Sequence, residues 1–500
     1  MNEIPVVEGY SHWRVPRSPG IAGLDLAGSV LLIGGVLLVI VTIMFGGLWL
    51  ALGMLVILGI ALAMMTVKDR HGINGVVRVS TRMGWRSTRK SGSHQYRSGP
   101  LGKTRHGACE LPGLLSKTEL SEFNDSWGQP FAVLSLPTRG HYAIAFSVQP
   151  EGGSLVDHDQ QEQWVARYGV ALAQLGEENG VIGCQVTVET VPDSGRELHD
   201  QVVRRLDPNA PELARRALME LTETYPAGSA HTRAWITFVF ASELDGKRVT
   251  VKEFAQAVKP RVRALGERFH GAGIGAATPL CAQELCELTR IAYDPDAGGL
   301  IEENTLNGVV TPLRWQDVGP VGHEAGWDCY RHDSGLSMTW GMTVAPRGIV
   351  QSSVLTRLLE PSPRVARKRV TITYRILDPG EAASQVQSDQ KTAEFNLKTA
   401  RRAGTALEAE HRKATQAAQE QERGAGLVDF SILVTATVNG NDPEAKAIAE
   451  ATVSNLASAS RITLRKLYGS QDSAFAASLP VGVLLPEYLR IPRIVRKATA

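Results

Sequence analysis

The hydropathy pattern is dominated by one uncharged apolar run, from Leu26 to Val67. This run of 42 residues contains no Asp, Glu, Lys, Arg, His, Asn or Gln. A membrane-spanning helix needs about 20 apolar residues, so the run is long enough for two. Gly46 and Gly47 lie at its middle, and glycine favours turns over helix interiors. The pattern therefore predicts a transmembrane helical hairpin over 26–67.

A single buried core helix and a cleaved signal peptide are both less compatible with this run. A core helix is disfavoured because helices of soluble proteins rarely exceed about 25 residues without polar positions. A cleaved signal peptide would have an apolar region of only about 7–15 residues, preceded by a basic segment. Residues 1–25, which we predict to be a cytoplasmic arm, carry only Arg14 and Arg17 as basic groups.

Beyond the apolar run, segments with strand character alternate with segments that have helical periodicity. This alternation predicts two α+β domains, over 108–295 and 309–482, of the ferredoxin-like (split βαβ) type. A stretch rich in Ala, Glu, Gln and Lys, at about 380–423, predicts a long helical insertion in the second domain. The strands that define the two blocks are expected at 141–149, 181–190, 234–241, 337–345, 367–376 and 427–438.

Charge is distributed unevenly along the chain. Residues 68–105 contain ten Lys or Arg residues and one Asp, a net charge of +9. Lys and Arg close to a membrane-spanning segment mark its cytoplasmic side. We therefore expect a protein of the cytoplasmic (inner) membrane with two helices, both termini in the cytoplasm and a cytosolic body. A basic tail is expected at 483–500.

The segment 68–107 is predicted to be a basic juxtamembrane linker. Each basic group near an anionic lipid surface contributes about 1 kcal/mol to binding. A solvated linker without lipid contact explains the same residues equally well. The predicted lipid contacts are Lys68, Arg70, Arg78, Arg82, Arg86, Arg89 and Lys90.

Cysteine usage agrees with a cytosolic body. The five cysteines are odd in number and lack the spacing of a disulfide framework, as is typical of a reducing compartment.

Motifs that resemble nucleotide sites lack their required context. Gly102-Lys103-Thr104 has Arg97 where a phosphate-binding loop needs its first glycine, and no apolar strand precedes it. The glycines of 271–275 (GAGIG) follow a predicted helix, whereas a dinucleotide fingerprint follows a strand. A helix terminus explains these glycines better.

Motifs that resemble metal-binding or nucleophilic sites also lack residues that such sites require. His323-Glu324 has Trp327 where a second ligand histidine would stand. His332-Asp333-Ser334 lacks a nucleophile elbow, and we interpret these residues as solvated or capping groups. No catalytic, cofactor-binding or metal-binding residue is predicted, and the protein is not expected to be an enzyme. Nucleic-acid contact is also disfavoured, because residues 106–500 carry a net charge of −6.

Several segments, in this order, resemble a known family. The segments are RSPGIAGL (17–24), HYAIAFSVQPEG (141–152), LTRIAYDP (288–295), TRLLEPSPRVARKRVTITYR (356–375) and the C-terminal part of the body at 427–482. Together with the hairpin, they resemble the membrane-proximal, non-ATPase part of VirB-type conjugation ATPases, joined to a small inner-membrane protein. A similar arrangement characterises actinobacterial integral membrane proteins that accompany type IV secretion or conjugation genes.

The resemblance implies a structural role. A membrane-anchored scaffold of a type IV-like secretion or conjugative DNA-transfer apparatus would dock a cytosolic ATPase and other membrane subunits. ATPase activity is not implied, because residues 1–500 contain no Walker A or Walker B segment. Alternatives are a membrane component of a type VII-like secretion machine and, less favoured, an inner-leaflet enzyme. Whether the chain forms homo-oligomers stays open.

Overall fold

The computed structural model describes residues 26–488, except 68, 70, 103, 105–106, 153–155, 194, 208, 225–229, 245, 347–349, 378, 400–404, 423–427 and 441. The described residues form an α+β fold built on one 13-stranded antiparallel sheet. The α+β class is thus confirmed. The predicted N-terminal arm and residues 489–500 of the predicted tail lie outside the described residues.

Fifteen helices and fifteen strands make up the described part of the chain. The helices are α1 Leu26–Gly46, α2 Leu48–Thr66, α3 Gly75–Lys90, α4 His158–Gln174, α5 Arg196–Arg205, α6 Glu212–Thr224, α7 Val251–Val258, α8 Val262–Glu267, α9 Ala282–Tyr293, α10 Ala297–Leu306, α11 Thr356–Leu359, α12 Pro379–Thr399, α13 Thr405–Glu422, α14 Pro443–Ala459 and α15 Gln471–Ser478. The strands are β1 Gln95–Arg97, β2 Glu119–Asn124, β3 Pro130–Leu136, β4 His141–Val148, β5 Val181–Pro192, β6 Ala230–Ala241, β7 Glu243–Leu244, β8 Lys247–Arg248, β9 Ala277–Pro279, β10 Gly322–Ala325, β11 Tyr330–His332, β12 Gly335–Val344, β13 Arg367–Ile376, β14 Val428–Asn439 and β15 Thr463–Lys466.

One continuous sheet spans both predicted α+β ranges. Its strand order is β1-β10-β11-β12-β14-β13-β5-β6-β4-β3-β2, with β15 against β12 and β9 against β4. Strands β7 and β8 form a separate pair. The two ranges meet where β13 pairs with β5, from Lys368 opposite Thr190 to Arg375 opposite Gly183. We call this β5–β13 pairing the central seam.

The two halves of the sheet repeat one sequence of elements. The first half runs β4, α4, β5, α5–α6, β6, α7–α8, β9, α9, and the second runs β12, α11, β13, α12–α13, β14, α14, β15, α15. The strand orders β3-β4-β6-β5 and β11-β12-β14-β13 also correspond. Strands β6 and β14 each have twelve residues. When these two strands are aligned end to end, the residue pairings of β5 with β6 and of β13 with β14 make Thr187 the counterpart of Thr371.

Thr187 and Thr371 face each other across the seam, with their hydroxyl oxygens 3.4 Å apart. An approximate two-fold axis therefore passes through this pair and relates the two halves.

Helices cover the sheet because their apolar residues recur on one side. In α7, Phe254, Ala255 and Val258 are buried, and Thr250 and Glu253 form a capping box at its start. Helices α7 and α8 pack on the first half, and α14 packs on the second. On the other face lie α9, α15 and residues 479–484, in a third apolar cluster that includes Tyr293 and Phe475.

Polar groups fix the C-terminal end of α15 to the central seam. Gln185 Nε2 donates a hydrogen bond to the Ala477 carbonyl (2.6 Å), and Thr371 Oγ1 donates one to the Ser478 carbonyl (2.8 Å). These side chains are fully buried, so each bond satisfies a group that would otherwise be costly to bury.

A buried ion pair lies in the same seam. Glu189 is directly opposite Arg369, and Arg369 Nη2 donates to Glu189 Oε1 at 2.6 Å. Arg367 lies 3.6 Å from the same carboxylate. Burial raises the pKa of Glu189, but the two guanidinium groups more than offset this, and the pKa lies below its ordinary value. The seam thus joins the halves by charge as well as by backbone hydrogen bonds.

The predicted long helical insertion consists of two helices, α12 and α13, which pack on each other. Ala382, Val386 and Ala393 are the buried positions of α12. Their spacing of four and seven residues places them on one side of the helix. The connection at 400–404, where Gly404 lies, is outside the described residues.

Candidate membrane-docking surface

Helices α1 and α2 meet at Gly47, whose φ of 83° is a conformation that favours glycine. The two helices pack against each other at Gly35, which lies so close to the Leu58 side chain that a Cβ there would require Leu58 to move. Gly34, Gly53 and Gly59 instead face open space. Most other side chains point outward, and the exposed apolar ones include Leu37, Ile43, Leu52 and Ile57.

One segment among the described residues is long and apolar enough to cross a membrane. It is Trp49–Thr66 in α2, of which only 6% is buried inside the protein. The described apolar segment of α1, Leu31–Phe45, is shorter. An apolar helix of this length with its side chains outward is unfavourable in water.

The contact at Gly35 gives a matched pair of substitutions. We expect Gly35→Leu to disturb the packing of α1 on α2, at a cost of about 1–3 kcal/mol, because the new side chain would overlap Leu58. Gly59→Leu should leave the packing unchanged, because its Cβ meets nothing within 4 Å. Spin labels at positions 33 and 60 would report the interhelical distance. An unchanged distance distribution in Gly35→Leu would contradict this packing.

Helix α3 begins beside the end of α2. A Cβ on Gly75 would lie 3.1 Å from the Met64 carbonyl oxygen, so the two backbones approach closely there. Along α3, arginines recur at a spacing of four, four and three residues, which places them on one stripe. This arginine stripe is Arg78, Arg82, Arg86 and Arg89.

The outward side of α3 carries exposed apolar groups. Val76, Val79 and Met83 are 41%, 46% and 65% exposed. At about 100° per residue, they lie about 120–180° around the helix from Trp85. An exposed apolar strip next to a basic stripe is typical of a helix that lies in a membrane interface.

Trp85 fixes the opposite side of α3 to the body. Its ring makes an edge contact with Trp327 at 5.3 Å, and Trp327 stacks on Tyr468 at 5.6 Å. Gly469 has a φ of 72°, and a Cβ there would lie 2.9 Å from the Trp327 ring. We call these four residues the tryptophan junction. Arg89 adds a cation–π contact with Trp85 at 5.6 Å.

The chain after α3 is also attached to the sheet. Strand β1 pairs with β10, with Tyr96 opposite His323. The Tyr96 hydroxyl donates to the Glu110 carbonyl (2.9 Å), and Ser98 Oγ donates to the Pro320 carbonyl (2.6 Å). Burial raises the pKa of Tyr96 to about 12. The segment predicted as a linker therefore holds a helix and an edge strand, because its aromatic residues find partners in the body.

The predicted lipid-contact residues fall on one helix wherever the structure describes them. Arg78, Arg82, Arg86, Arg89 and Lys90 all lie on α3, whereas Lys68 and Arg70 are outside the described residues. Sequence reasoning missed the tryptophan junction. Trp85, alone among basic and small residues, was the signal that one side of this stretch is packed.

The motifs tested for chemistry have structural roles. Gly102 follows the 3-10 helix Gly99–Leu101, and Lys103 lies outside the described residues. Gly271, Gly273 and Gly275 have φ angles of 71–76° in the turns that follow α8. Cys281 is the N-cap of α9, and Cys286 is buried.

The interpretation of His332 as a solvated or capping residue was wrong. Its side chain is fully buried, with Nδ1 2.6 Å from the Tyr293 carbonyl oxygen and Nε2 2.7 Å from Ser337 Oγ. Both ring nitrogens are therefore satisfied, which allows burial of a polar ring. Burial lowers the pKa of His332 to about 4. His332 and Ser337 are thus part of the packed interior.

A cleft of about 490 Å³ lies between α5, α6 and α10. His199 Nδ1 is 3.2 Å from Thr222 Oγ1, but the Thr222 hydroxyl donates to the Met219 carbonyl (2.7 Å), and so is not activated by the imidazole. The Asp200 carboxylate pairs with Arg204 at 2.7 Å. Among the described residues, no three His, Cys, Asp or Glu side chains are grouped to hold a metal ion.

Comparison with known proteins adds one match. A domain of unknown function (DUF8461) matches residues 17–76, a range that includes α1, α2 and the first residues of α3. No curated protein matches the chain. The match covers the apolar helices and carries no activity with it.

Proposed function

We propose that this protein is a membrane-anchored scaffold of a type IV-like secretion or conjugative DNA-transfer apparatus. In this proposal, α1 and α2 form a transmembrane hairpin in the cytoplasmic membrane, with both termini and the sheet in the cytosol. The body holds a cytosolic ATPase and other membrane subunits and does not itself hydrolyse nucleotide.

The observation that carries the anchoring proposal is the position of α3. This helix starts against the end of α2 and turns Val76, Val79 and Met83 outward beside its arginine stripe. Its other side packs on the body through Trp85. Because α3 contacts both α2 and the body, it would hold the sheet at a fixed position relative to the membrane surface.

The secretion part of the proposal rests on the family resemblance of the segments between 17 and 482. The same resemblance favours two ferredoxin-like units. The strand orders β9-β4-β6-β5 and β15-β12-β14-β13 are compatible with that topology, since both are antiparallel and each alternates strands with crossover helices. A scaffold of this kind binds by its surfaces, and α5–α6 and α12–α13 are inserted at corresponding places in the two halves.

The anchoring can be tested with single introduced cysteines in whole cells. Phe45→Cys, at the turn between α1 and α2, should react with a membrane-impermeant maleimide from outside. Ser93→Cys, after α3, should react only after permeabilisation. Alkaline carbonate should leave the protein in the membrane, and detergent should release it. Labelling of Ser93→Cys from outside, or release by carbonate, would contradict the proposed topology.

The scaffold role needs a separate test. A tagged full-length chain extracted in mild detergent should co-purify with a secretion ATPase or another apparatus subunit. Deletion of its gene should abolish transfer of DNA to recipient cells. Intact transfer in the deletion strain, together with no co-purifying subunit, would refute the role.

A further inference from the structure

We propose that Arg465 of the body and the arginine stripe of α3 together bind the phosphate headgroup of an anionic lipid. This inference rests on the proposed membrane anchoring and deepens it, because it makes the sheet itself part of the lipid-binding surface.

The site begins with an ion pair at the end of α2. Asp69 lies three residues beyond Thr66, the last residue of α2, and its carboxylate is 2.5 Å from Arg78 Nη2. Both side chains are substantially exposed. In a spanning hairpin, residues this close to the helix end lie at the depth of the lipid phosphates.

Arg465 belongs to the part of the body that packs on α3, where Tyr468 stacks on Trp327 and Trp327 contacts Trp85 of α3. Arg465 lies on β15, is partly buried, and its guanidinium sits 5.8 Å from the Tyr468 ring centroid. Burial lowers the pKa of Arg465, and the nearby charge of Arg78 lowers it further, while Asp69 acts in the opposite direction. Asp69 therefore pairs directly with Arg78 and also acts electrostatically on Arg465.

This concentration of arginines favours an added anion. Arg82, exposed and one turn further along α3, extends the positive charge. A guanidinium stacked on an aromatic ring keeps its edge donors available, and their geometry matches the oxygens of a phosphate group. The exposed Val79 and Met83 on the same helix suit a bilayer and not the grooves of a nucleic-acid duplex.

The test uses the full-length chain in neutral detergent micelles, titrated with phosphatidylglycerol or phosphatidylcholine. The substitution is Arg465→Gln, and the matched control is Arg215→Gln, an exposed arginine on α6 in the other half. Loss of one arginine–phosphate contact should weaken phosphatidylglycerol binding about five-fold. Phosphatidylcholine binding, and binding by the control, should not change. Equal thermal stability of the variants in phosphatidylcholine would show that folding is retained.

Four results would overturn the inference. The first is unchanged phosphatidylglycerol affinity in Arg465→Gln, and the second is an equal loss in Arg215→Gln. The third is competition by excess inorganic phosphate, which would indicate a site for the free anion. The fourth is binding of duplex DNA with the same dependence on Arg465. Carbonate extraction of the same variants separates the two proposals, since Arg465→Gln should stay in the membrane even if its lipid preference is lost.

Discussion

Replacing Glu189 with Gln is expected to destabilise the body by about 3–5 kcal/mol, because it leaves a buried guanidinium without its counter-charge. Glu189 and Arg369 are only 5% and 4% exposed at their side chains. Arg367 would lose the same partner. Urea unfolding of the full-length chain in detergent, followed by tryptophan fluorescence, measures the change.

Two further variants make this expectation specific. Glu243→Gln removes a carboxylate from the exposed strand β7 and should change stability by less than about 0.5 kcal/mol. The double variant Glu189→Leu, Arg369→Met should recover part of the loss, because apolar side chains of similar volume often replace a buried ion pair without net cost, while Arg367 stays without its partner. A loss below about 1 kcal/mol in Glu189→Gln would mean that the pair does not stabilise the seam.

Trp85→Ala should release α3 from the body while leaving the sheet folded. Removing a large, partly buried ring and its contact with Trp327 should cost about 3 kcal/mol of docking free energy. This corresponds to a decrease of about 100-fold in the equilibrium constant for docking. Amide hydrogen exchange of the full chain in micelles should rise in α3, and the exchange of β13 and β14 should not change.

The control for this experiment is Trp127→Ala. Trp127 is 65% exposed, and its ring contacts Arg263 at 5.4 Å, away from the junction. Its substitution should leave exchange in α3 as in the parent protein. Equal protection of α3 in the parent and in Trp85→Ala would refute the role of the tryptophan junction in docking.

Local patterns were sufficient to predict many elements. The predicted strand at 367–376 coincides with β13, and those at 141–149 and 427–438 differ from β4 and β14 by one residue at one or both ends. These strands are rich in β-branched and aromatic residues, which favour strand conformation. A capping box such as that of Thr250 and Glu253 is likewise a local pattern, since donor and acceptor lie within one turn.

Long-range pairings could not be derived in this way. The seam joins residues about 180 positions apart, such as Glu189 and Arg369, and either strand could have paired with another apolar strand. Trp85 meets Trp327 and Tyr468, which are far from it in the chain. His332 stands between polar residues, and only the Tyr293 carbonyl and the Ser337 hydroxyl explain its burial.

The approximate two-fold axis at Thr187 and Thr371 has a consequence for how the body can be divided. Each half presents to the other a strand, β5 or β13, that would be an open sheet edge in isolation. An unprotected edge of that length is prone to aggregate or to add a foreign strand. The body is therefore a pseudo-dimer within one chain, in which each half covers an edge strand of the other half. Truncation between the halves would remove this protection from both.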